Sequence, residues 1–113
     1  MKSEKRKAII NIEVTLNENN LPDQISWLAS DLKNNNDVAK AFMLSFWDPN
    51  LKNSFNIDLW TKEMTMEEMK FFIFQNLLKM SGLIQKSTGD QELSKYIKNF
   101  ATDFGKKSNV LKG

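Results

Sequence analysis

The chain has 113 residues, 41% of them apolar and 27% charged. That is one soluble domain's worth of protein, long enough to bury roughly 65% of its unfolded surface. It contains neither Cys nor His, which excludes disulfides, thiolate and imidazole metal sites, and every catalytic triad built on those groups.

Charge is unevenly placed. Residues 1–7 and 106–113 together carry +6, and residues 8–105 carry −4. A pI near 8.8 is therefore a property of the two ends. Nucleic-acid binding needs a basic face on the fold itself, and Arg6 is the sole guanidinium. The expectation is no nucleic-acid partner. The expected organisation is a basic disordered N-terminus over 1–7, a single α+β domain over 8–105 and a basic tail over 106–113. No apolar signal segment follows the basic start, because Asn11 and Glu13 interrupt Ala8-Ile9-Ile10. The longest uncharged apolar run, Phe71 to Leu78, is far short of a bilayer span. A cytoplasmic protein without membrane insertion is expected.

The first strand is predicted over Ala8 to Leu16, where Ile10, Ile12, Val14 and Leu16 alternate with polar residues. Asn17 to Asn20 and Pro22-Asp23 supply turn chemistry. The second strand is predicted over Gln24 to Ser30, with Ile25, Trp27 and Ala29 on one face. A polar connection, Asn34-Asn35-Asn36, follows. The third strand, Lys40 to Trp47, is apolar on both faces. Pro49 suits a turn, and the fourth strand runs from Ser54 to about Thr61.

At Thr65 the period changes from two to 3.6. Thr65-Met66-Glu67-Glu68 is a capping box, with Met64 and Met69 placed as a hydrophobic staple. The helix that follows should reach about Lys86, with Met69, Phe72, Ile73, Asn76, Leu77, Met80 and Ile84 on one face and Phe71, Phe74 and Leu78 widening the apolar arc, which implies heavy burial. Asp90 caps a second helix to about Phe104, with Leu93, Tyr96, Ile97, Phe100, Ala101 and Phe104 as its apolar stripe. Tyr96 reads as core, and Gly105 as the residue that ends the helix. The order is ββββαα: an α+β fold with a four-stranded antiparallel sheet and two helices packed on one face. The same order is loosely that of the secretion chaperone SecB, an analogy of element order only.

Little in this sequence can carry catalysis. The candidates are carboxylates around the strand-to-helix junction, of which Asp58 and Glu63 would serve a small enzyme or ligand-binding domain. Asp58 is also the polar phase of a strand, and Glu67 and Glu68 favour a helix N-terminus. No Gly-rich phosphate loop or calcium-loop spacing is present, so no cofactor and no metal are expected. If Phe42, Leu44, Phe46, Phe55, Ile57 and Leu59 face the helices, the opposite face carries Leu28, Met43, Trp47 and Trp60 around Asp58. Tryptophan and methionine within a polar rim have the composition of a protein-binding surface. These five residues are the candidate site, and a homo-oligomer that covers them is expected.

The stretch Asp58-Leu59-Trp60-Thr61-Lys62-Glu63-Met64-Thr65-Met66-Glu67-Glu68-Met69-Lys70 resembles the signature of the gliding-motility protein GldC family of Bacteroidota. Phe42 to Asp48, Ile25-Ser26-Trp27 and the closing helix ending in Phe104-Gly105 resemble it too, so the likeness covers about residues 8–107. The resemblance implies a small non-catalytic accessory or adaptor protein of the gliding machinery. That machinery is linked to type IX secretion, and the partners implied are its proteins. The resemblance assigns no catalytic residue.

Overall fold

A computed structural model describes residues 5–30 and 37–111. The Asn34-Asn35-Asn36 connection, the first four residues and the last two lie outside the described residues. The chain divides into two units, with the boundary between Met64 and Thr65. Among the described residues the regular elements of the first are all strands and those of the second all helices, so the change of period at the capping box coincides with the boundary.

In the β unit, β1 (Ile10–Leu16) pairs antiparallel with β2 (Pro22–Ala29), Ile12 facing Trp27 and Val14 facing Ile25. The connecting turn is built by Asn17. Its Oδ1 accepts from the amides of Asn19 and Leu21 at 2.8 and 3.1 Å, and Asn20 adopts φ 59. Asn tolerates the left-handed region because its short side chain bonds locally.

The third predicted strand, Lys40 to Trp47, corresponds to the strand Ala41–Asp48, but a short strand that was not expected precedes it, and the sheet is not a single four-stranded one. β3 (Asp37–Ala39) pairs with β2, Ala39 facing Ile25, which closes a three-stranded sheet β1-β2-β3. The backbone bends at Lys40. β4 (Ala41–Asp48) then pairs with β5 (Asn53–Trp60) in a separate two-stranded sheet. The bend lets one stretch of chain serve two ladders. In the β4–β5 turn, the Asp48 carboxylate accepts from the amides of Asn50 and Leu51, and Lys52 takes φ 50. The hairpin register sets Phe42 against Leu59, Leu44 against Ile57 and Phe46 against Phe55. Those six therefore share one face, as their alternation predicts. The most buried side chain in the unit is Ile25, at 1% exposure.

In the helical unit, α1 (Met66–Thr88) and α2 (Gln91–Lys107) form a hairpin. α1 opens on the full capping box. The Glu68 amide donates to Thr65 Oγ1 and the Thr65 amide to Glu68 Oε1, each at 3.0 Å. Gly89 closes α1 at φ 77, and Asp90 caps α2 by accepting from the Leu93 amide at 3.0 Å. The α1–α2 seam uses small residues. Ser81, Ser94, Ala101 and Gly105 are buried with Phe74, and Ser94 Oγ donates to the Ser81 carbonyl at 2.6 Å. Small side chains let two helix backbones approach, which is why these positions outrank larger neighbours in burial.

Two expectations for α2 are corrected by this seam. Tyr96 is 74% exposed, and Leu93 and Phe100 are exposed as well, because the face toward α1 is Ser94, Ala101 and Gly105. Gly105 does not end the helix. It lies inside it, and a Cβ there would sit 2.8 Å from Phe74 Cε1 and 2.7 Å from Leu111 Cδ1. The termination falls later, at Asn109 (φ 67), with the Asn109 amide bonding Lys106 O and the Val110 amide bonding Gly105 O. That is a Schellman ending with Asn in the place usually held by Gly.

Candidate functional site

The β4–β5 register decides which of the five candidate residues can act together. Met43 stands directly opposite Asp58, and Ala41 opposite Trp60, so Met43 is one diagonal step from Trp60. Trp47 stands opposite Ser54. It is six positions from Trp60 along the ladder, or about 20 Å at the usual rise per residue. Leu28 lies on β2, opposite Asn11, in the other sheet. The expected continuous patch therefore resolves into a cluster of Met43, Asp58 and Trp60, with Trp47 and Leu28 outside it.

Asp58 and Trp60 line a groove of about 400 Å³ together with Leu21, Pro22, Leu59, Thr61, Lys62 and Met64. Its floor is fixed by Thr61, which is buried, donates its amide to the Lys40 carbonyl at 2.8 Å and accepts from the Met64 amide at 3.1 Å. The indole of Trp60 is 58% exposed beside it. The walls are mainly apolar, and the charged groups are Asp58 and Lys62. Sequence reading missed Leu21, Pro22, Leu59, Thr61, Lys62 and Met64. Leu21 and Pro22 stand at a turn, Leu59 in the inward phase of a strand and Met64 in a staple, so each of these four already had a local explanation. An apolar Leu21 within a run of polar turn residues was the one available signal.

Glu63 lines a different depression, of about 340 Å³, with Asp23, Gln24, Val38, Ala39, Lys40 and Thr61. Asp58 and Glu63 are thus not brought into one cleft. Among the described residues no group of three or more acidic side chains is placed to hold a metal ion. No helix of the described residues is long and apolar enough to cross a membrane.

The sequence profile of the gliding motility-associated protein GldC-like family matches residues 22–110. The chain belongs to this family. No curated protein and no solved structure matches it. The GldC-like match takes in every residue lining the Trp60 groove except Leu21, and it takes in both helices.

Proposed function

We propose that this GldC-like chain is a non-catalytic accessory protein of the gliding machinery and its type IX secretion components, acting in the cytoplasm by binding another protein through the Trp60 groove. The observation that carries the reading is the groove itself. An exposed indole stands over apolar walls, with one acidic and one basic side chain at hand to orient a partner. Buried aromatic anchors in such pockets dominate the energetics of protein interfaces. Gliding association comes from the family. A ligand-binding or enzymatic reading centred on Asp58 and Glu63 has less support, because the two carboxylates line separate depressions.

The test is complementation of a gliding bacterium that lacks its own copy. Trp60→Ala is expected to abolish spreading at unchanged protein level. Trp47→Ala, equally exposed but outside the groove, is expected to spread like the wild type. A photo-crosslinker at Lys62 should capture one defined protein, and Trp60→Ala should remove that product. Normal spreading by Trp60→Ala would refute the groove as the binding site.

A further inference from the structure

The outer edge of β5 presents a self-complementary row of backbone groups, and we propose that two copies of this chain pair there, β5 against β5, in a two-fold antiparallel dimer. The inference does not depend on the groove reading. The Thr61 amide donates to Lys40 O, so Lys40 and Thr61 form a hydrogen-bonded pair of the β4–β5 ladder. Such pairs alternate along an antiparallel ladder. Leu59, Ile57 and Phe55 therefore bond inward to β4, whereas Trp60, Asp58, Asn56 and Ser54 aim their N–H and C=O groups at the outer edge. Among the described residues no strand pairs with that edge.

This edge lacks the devices that normally discourage pairing. Exposed edges are blunted by Lys, Pro or a bulge. β5 contains no Lys and no Pro, and its register with β4 is unbroken from Asn53 to Trp60. By contrast β1, an edge strand of the separate three-stranded sheet, carries Glu13 at its centre and a register shift between Thr15 and Leu16. β5 is also apolar on one phase, with Ile57 50% exposed and Phe46 and Phe55 exposed beside it.

A second copy of the chain fits this edge. Placing the two-fold axis at Ile57 pairs Ser54 with the second copy's Trp60, and Asn56 with its Asp58. All four outward residues then exchange hydrogen bonds, and no like charges meet. On the other face Ile57 meets its own symmetry mate, and Phe55 meets Leu59. The apolar strip Phe42-Leu44-Phe46 / Leu59-Ile57-Phe55 thereby extends across four strands. Shifting the axis to Asp58 would set two carboxylates against each other, so charge selects the Ile57 register.

Sedimentation equilibrium of the full chain tests this, with circular dichroism as the fold check. The wild type is expected to reach a dimer by about 100 μM, within range for micromolar pairing. Asn56→Pro removes one outward donor and leaves the bonds to β4 intact, so it should be monomeric with an unchanged spectrum. Asn56→Lys places two lysines against the second copy's Asp58 positions and should tighten the dimer about 2- to 30-fold. Asn56→Asp should weaken it by a similar factor, since symmetry counts each cross-strand pair twice. A monomeric wild type at that concentration overturns the proposal and gives the edge to a strand of another protein. A dimer unaffected by Asn56→Pro, or weakened equally by Lys and Asp at position 56, overturns it as well.

Discussion

Thr65 shows how much one side chain decides here. Its hydroxyl accepts from the Glu68 amide while Glu68 returns the bond to the Thr65 amide, so two otherwise unpaired groups at the start of α1 are satisfied together. Thr65→Ala should cost about 1 kcal/mol, read as a lower urea midpoint at unchanged slope. A midpoint equal to that of the wild type would show that the cap contributes nothing. Gly105 is the converse, a position where an added methyl does harm. Alanine would improve helix propensity by about 1 kcal/mol. It would also drive a Cβ to 2.8 Å from the ring of Phe74, a buried side chain, and 2.7 Å from Leu111 Cδ1. Overpacking of that kind costs about 1–3 kcal/mol. Gly105→Ala should therefore melt at a lower temperature than the wild type, and a rise in the melting temperature would show that Leu111 and Phe74 yield freely.

At the scale of elements, the legible features were those with local causes. Both helix N-termini were readable because Thr65 and Asp90 act within three residues of themselves. The β4–β5 hairpin was readable because alternation fixes which residues of each strand share a face; that Phe46 pairs with Phe55 rather than Ile57 was not, since the turn sets the register. What was not readable depended on distant partners. β3, Asp37–Ala39, is three residues long and too short to show an alternation, and the break at Lys40 between the two ladders carries no Gly or Pro to mark it. The α2 seam escaped because apolar periodicity ranks large residues first. Leu93, Tyr96 and Phe100 form the more conspicuous stripe, yet Ser94, Ala101 and Gly105, spaced by seven and then four, are the residues that let α1 come close. The spacing of the five candidate residues was hidden for the same reason. Trp47 and Trp60 share a face, but only the register reveals how far apart they stand.

For the whole molecule, charge placement sets what the chain can do with a polyanion. The ends hold +6 against −4 over residues 8–105. Lys106 and Lys107 lie in the last turn of α2, where cations complement the helix dipole, so part of that positive charge already has a structural use. A duplex approaching the chain would meet a few lysines at the ends and net repulsion from the rest. Binding driven by phosphate contacts alone releases condensed counterions and falls steeply with salt. Even if all six net charges of the ends engaged, affinity should drop about a thousandfold between 50 and 200 mM salt. Fluorescence anisotropy with a labelled duplex should therefore show, at most, weak binding at 50 mM that is gone at 200 mM, with no preference among sequences. Sub-micromolar binding that survives 200 mM salt would mean that the folded units present a basic face, and would overturn the assignment of the positive charge to the ends.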